Sequence, residues 1–81
     1  MDEVRSLIDQ KEYGRVKVCL AEVLEKKGIT RNRLRTLTGV KYEVIDRYYK
    51  AENIEMVDLN FLAKICYTLN VDISDLLKYE K

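Results

Sequence analysis

Leu20, Val23 and Leu24 stand at the i, i+3, i+4 spacing of one buried helical face, which sets a first helix between Leu20 and Lys27. Gly28 stops it, and Lys26 and Lys27 put positive charge at its carbonyl end. Thr30 is the next N-cap, opening a short helix over residues 31–38 that Gly39 ends. Lys41 to Lys50 form a third helix with Ile45 and Tyr48 turned inward, and residues 51–57 read as a loop. Asp58 caps a fourth helix, in which Leu59, Leu62, Cys66 and Leu69 make one apolar stripe and Phe61 and Ile65 a second. A helix apolar on two faces must bury both. Either Val4, Leu7 and Ile8 fold back onto it, the reading favoured here, or a second copy does so through Leu76, Leu77 and Tyr79.

Asn70 is a left-handed helix stop, and Asp72 caps a short last helix carrying Ile73, Leu76 and Leu77. Near the start, Val16 and Val18 flank Lys17 in the alternation of a short strand. Val4, Leu7 and Ile8 share one helical face, so residues 1–15 read as an extension, an extra helix or an arm, ahead of a domain over residues 16–81.

Eighty-one residues hold one domain. No run approaches the roughly 20 apolar residues of a membrane helix, and the opening Met1-Asp2-Glu3-Val4-Arg5 lacks the form of a secretory signal. Cys19 and Cys66 suit buried, reduced thiols better than a disulfide scaffold. The expectation is a cytoplasmic protein. Histidine is absent, the serines are Ser6 and Ser74 with no base beside them, and the three glycines are too scattered for a phosphate loop. Catalysis, a metal site, a cofactor and a small-molecule ligand are therefore not expected, and binding is the default role.

The net charge of +1 conceals an asymmetry. Residues 26–50 carry eight lysines and arginines against Glu43 and Asp46, whereas the flanking segments are each net acidic. A gathered basic block is the electrostatic footprint of a polyanion partner, and it falls on helix, glycine turn, helix. Leu34 sits five residues before Gly39, Val40 just after it, and Ile45 six beyond, the spacing that locks two short helices at a steep angle and frees the outer face of the second.

The run Leu20, Leu24, Lys27-Gly28-Ile29-Thr30, Leu34, Thr38-Gly39-Val40, Ile45, then Leu59, Leu62-Ala63-Lys64-Ile65-Cys66 and Leu69-Asn70-Val71-Asp72-Ile73-Ser74-Asp75-Leu76-Leu77 closely resembles the phage-repressor (Cro-like, or XRE) helix-turn-helix family. The resemblance covers residues 16–79. It implies an all-α, five-helix, lambda-repressor-like fold that binds double-stranded DNA, usually as a homodimer on a near-palindromic operator, and regulates transcription. Carried onto this sequence, it implies that Thr30 and Arg31 meet a phosphate at the start of the second helix and Lys41 another at the start of the recognition helix. Tyr42 and Glu43 match base-reading positions, Arg47 lies one turn further along, and Lys50 reaches the backbone at the helix end. Arg35 departs from the pattern, standing where alanine is usual, as do Glu43 and Asp46, whose negative charge costs affinity unless each reads a base or pairs with a neighbouring Arg, and Glu52 and Glu55 in the loop.

Tyr48 reads as core, Tyr49 as a packing residue without a DNA role, and Arg33 as a plain surface charge; Tyr42 is balanced between DNA contact and rim. The rival to a regulator is a protein-interaction module of the same fold, antitoxin-like or an antirepressor, which Glu43, Asp46, Glu52 and Glu55 favour.

Overall fold

A computed structural model of the chain describes residues 13–81. The order is β1 (Arg15–Val18), α1 (Leu20–Lys27), α2 (Arg31–Thr38), α3 (Tyr42–Lys50), α4 (Leu59–Leu69), α5 (Ile73–Leu76) and β2 (Leu77–Glu80). Five helices are thus present among the described residues, as expected. The short strand read at Val16 and Val18 is β1, and the all-α expectation is corrected by its antiparallel pairing with β2, Val16 opposite Tyr79 and Val18 opposite Leu77. The alternation Leu77-Lys78-Tyr79-Glu80 takes Leu77 out of the last helix and into the strand, and α5 ends at Leu76. The expectations placed on Val4, Leu7 and Ile8 lie outside the described residues.

The caps read from the sequence close the helices they were assigned to. The Thr30 side chain accepts the Arg33 N–H at 3.0 Å, and Asp58 accepts from Asn60 and Phe61 at 2.8 and 3.3 Å. Asp72 and Asp75 form a reciprocal capping box on α5. Asn70 holds the left-handed conformation after α4. Gly39 does so between α2 and α3 (φ 74°), a turn that a side chain would strain. Gly14 meets a steric limit as well: a Cβ there would lie 2.3 Å from the Glu80 carbonyl oxygen, so glycine is what lets β1 start beside β2.

One core gathers Leu20, Leu24, Leu34, Ile45, Tyr48, Ile65 and Leu76, each at most 1% exposed. On α4 the inward face is Phe61, Leu62, Ile65 and Leu69. This corrects the stripe expected through Leu59, which is 78% exposed, and Cys66, which is half-buried. Phe61 and Ile65 need no second copy to cover them, because Tyr48 stacks on Phe61 with ring centroids 4.3 Å apart and Ile65 is fully buried within the chain. Both cysteines are free thiols; burial, seconded by Glu22, raises the Cys19 pKa and keeps that thiol protonated.

Helix α3 ends on Ala51, a non-glycine residue in the left-handed region at φ 55°. That conformation costs a side-chain-bearing residue roughly 1–2 kcal/mol. Ala51→Gly relieves it and gives back part of the gain through a looser unfolded chain. Thermal unfolding of A51G is expected a few degrees above the wild type, and an unchanged or lower midpoint would show that Ala51 is not strained.

Candidate nucleic-acid interface

Two short helices and the turn between them form the site. The Thr38 hydroxyl donates to the Leu34 carbonyl oxygen at 2.8 Å and accepts the Val40 N–H at 3.1 Å, and the Gly39 N–H returns to the Arg35 carbonyl oxygen at 2.8 Å. The turn's polar groups are thereby satisfied locally while Leu34 and Ile45 meet in the core without any exposure. Arg35 points to solvent, so it does not wedge the two helices apart.

With Ile45 and Tyr48 buried, α3 turns Glu43, Arg47 and Lys50 outward at i, i+4, i+7, a single exposed stripe. Lys41, exposed, precedes the helix and supplies no side-chain cap. The first N–H groups of α3 therefore have no side-chain acceptor, beside a lysine ammonium, which is the chemistry of an anion site at a helix amino end. Glu43 lies in the first turn, where a carboxylate suits the helix dipole. Arg47 lies over the Tyr48 ring, its guanidinium carbon 4.6 Å from the centroid, which steadies the side chain at the surface.

A neighbouring face carries Tyr42, Asp46 and Tyr49, and onto it the start of α2 reaches. The Arg31 guanidinium bonds the Asp46 carboxylate and lies over Tyr49, 4.2 Å from its centroid, with Tyr42 at 5.9 Å. Lys50 holds the other Asp46 oxygen at 3.3 Å. The sequence admits an arginine partner for Asp46 without saying which one. Arg31 and Asp46 stand 15 residues apart on adjoining helices, and no local pattern joins them. The carboxylate is neutralised where it stands, and Arg31 is the strap that ties α2 to α3. Tyr49, assigned only to packing, is the platform on which that strap lies.

Partial burial pushes the Asp46 pKa up, but hydrogen bonds from Lys50 and Arg31, with their charges, outweigh it and hold the carboxyl below its ordinary value of 3.8. A depressed folded-state pKa contributes stability that is complete above the unfolded value and fades as pH falls through the folded one. Asp46→Asn should therefore flatten the acid limb of a stability profile below about pH 4. Denaturant midpoints at a series of pH values check this, and parallel acid limbs would show the pair contributes nothing.

This geometry defines a helix-turn-helix with an outward, cation-edged second helix. A family model for the Cro/C1-type HTH DNA-binding domain matches residues 19–81, and the chain belongs to that family. Among solved structures, a "putative DNA-binding protein" from Bacteroides fragilis is similar at 25% identity with a TM-score of 0.68, over 79% of this chain and all of the other. No curated protein matches the chain significantly. The family is one of DNA-binding domains and is generally non-enzymatic. Among the described residues no helix is long and apolar enough to cross a membrane.

Proposed function

We propose that this protein is a sequence-specific regulator of transcription that binds double-stranded DNA in the cytoplasm as a homodimer, with residues 16–81 as the DNA-binding unit and residues 1–15 as an extension to it. The observation that carries this reading is the α3 surface: Glu43, Arg47 and Lys50 are exposed on one stripe, Lys41 stands at its uncapped amino end, and nothing in the described chain covers it. Lys41 and Lys50 take phosphates at the two ends of the helix, and the Thr30 hydroxyl, already accepting the Arg33 N–H, still has its proton to donate to a phosphate at the start of α2. Glu43 accepts from a cytosine amino group, Arg47 takes guanine or a phosphate, and half-buried Tyr42 offers its ring edge beside them. Arg31 acts chiefly by fixing α2 against α3, with its remaining N–H donors free for a phosphate. Regulation follows from occupancy: phosphate contacts set the register, a few side chains read bases, and the bound dimer blocks or recruits polymerase.

The interaction-module alternative rested partly on negative charge at Asp46, and Arg31 and Lys50 cancel that charge. Selection of bound sequences from random duplex DNA tests the proposal. The expected result is a two-fold-symmetric site with half-sites about 34 Å apart and an affinity that falls steeply with salt. Recovery of no enriched site, together with salt-insensitive binding, overturns it.

A further inference from the structure

A groove formed by β1, α1, α5 and β2 offers a second site, and none of its lining residues belongs to α2 or α3. It is open, with a volume of about 760 Å³, within the size range of small-molecule sites. Its floor is apolar: Cys19 and Val23 are buried and Val71 is half-buried. The rim carries Lys17 from β1, Lys26 and Lys27 from the last turn of α1, and Lys78 from β2. Two of the rim's carboxylates are already engaged. Glu22 holds Lys17 at 3.4 Å, and Asp75 accepts the Asp72 N–H at 3.0 Å in the α5 capping box. Lys26, Lys27 and Lys78 form no ion pair among the described residues and have only Glu25 to set against them on the rim. The surplus is positive.

The sheet supplies an independent observation. Lys17 and Lys78 are direct cross-strand partners, and like charges so placed destabilise a sheet. The next pair on the same face, Arg15 and Glu80, is complementary and bonded at 3.2 Å, so the clash is confined to the groove. Burial, seconded by Glu22, raises the Cys19 pKa while Lys17 and Lys78 act the other way, which puts both ammonium groups within Coulomb reach of the groove floor. A dianion between them turns repulsion into attraction. We propose that the groove binds a phosphorylated small molecule about the size of a nucleoside monophosphate, its phosphate between Lys17 and Lys78 and its organic part on the floor of Cys19, Val23 and Val71. The eight residues of α1 span about 12 Å and carry the groove to Lys26 and Lys27 at its other end. There Glu25 and Asn70 offer hydrogen-bonding groups to the hydroxyl or amino groups of the ligand. No glycine-rich loop takes part. Lys17 and Lys78 meet across the sheet from opposite ends of the domain, a spacing that no sequence motif encodes. The inference goes beyond the DNA reading and does not depend on it.

Amide chemical shifts of the isotope-labelled full chain, followed at fixed ionic strength, test the site. Adenosine monophosphate is the probe, with adenosine and inorganic phosphate as controls. The monophosphate should shift amides of residues 17–27 and 70–78 saturably, with a dissociation constant on the order of a millimolar or tighter. Each control, lacking half of the contacts, should bind on the order of tenfold more weakly. Lys78→Gln should weaken the monophosphate roughly fivefold and, by removing the cross-strand repulsion, raise the thermal midpoint of the ligand-free protein. Lys64→Gln, at an exposed lysine of α4 outside the groove, should change neither. Shifts spread evenly over the surface, equal monophosphate binding by K78Q and K64Q, or a K78Q midpoint no higher than the wild type overturn the proposal. Groove amides that respond to a short DNA duplex and not to the monophosphate overturn it as well, in favour of a nucleic-acid phosphate. A filled groove in a protein without DNA affinity supports this site and overturns the DNA reading alone.

Discussion

Tyr48→Ala is expected to lower stability by about 3–5 kcal/mol, the range for emptying a large aromatic site in a core. Tyr48 is 1% exposed and stacks on Phe61, and its hydroxyl accepts the Asp58 N–H at 3.1 Å. Removing the ring opens a cavity between α3 and α4 and deprives the first residue of the α4 cap of its acceptor. A domain this size has little stability to spare, so much of the variant is unfolded at physiological temperature, with a midpoint on the order of 20 °C lower. Tyr48→Phe keeps the stack and loses only the hydrogen bond, at about 1 kcal/mol. Denaturant unfolding followed by circular dichroism separates the two. If Y48F were as damaging as Y48A, the hydroxyl rather than the packing would be the anchor.

The largest functional effect is expected from Lys41→Gln, Arg47→Gln and Lys50→Gln together. If the three cations neutralise phosphates, each released counterion contributes about 0.9 to the slope of log affinity against log salt. The triple variant should then lose about 3 from that slope and roughly a hundredfold in affinity at physiological salt. Arg47 gives up its place over Tyr48 and Lys50 its bond to Asp46, both surface contacts that leave the buried core untouched, so folding is expected to survive. Arg47→Gln alone divides the two roles open to that residue: relaxed preference at one base pair marks a base contact, and uniform weakening with a shallower slope marks a phosphate contact. An unaltered slope in the triple variant would remove α3 from the interface.

Much of this fold was legible because its cues are local. Thr30, Asp58 and Asp72 announce helix starts, Gly39 and Asn70 announce stops, and the i, i+3, i+4 spacing of Leu20, Val23 and Leu24 needs no knowledge of the rest of the chain. Helix α4 shows where that reasoning ends. Its Leu59 and Phe61 stripes share the same periodicity, and the inward face takes from both: Phe61, stacked on Tyr48, and Ile65 turn in beside Leu62 and Leu69, while Leu59 is left outside. The strand β2 was overlooked because its partner lies some 60 residues away, and four alternating residues after a short helix pass for a frayed end. At the candidate site the exposed cations followed from helical geometry once Ile45 and Tyr48 were turned inward. The Arg31–Asp46 link did not, since a pair across two helices depends on the crossing itself.

The pairing of Arg15 with Glu80 has a topological result. Residues 15 and 80 stand side by side, so the stretch from β1 to β2 is nearly a closed ring of chain. A short bridge between those points, with new ends opened between the exposed Glu55 and Met56, would circularly permute that stretch with α2, α3 and their turn uncut. Cargo joined before β1 or after β2 would hang from a single corner, and a fusion at either position would be tethered at the same distance from the duplex.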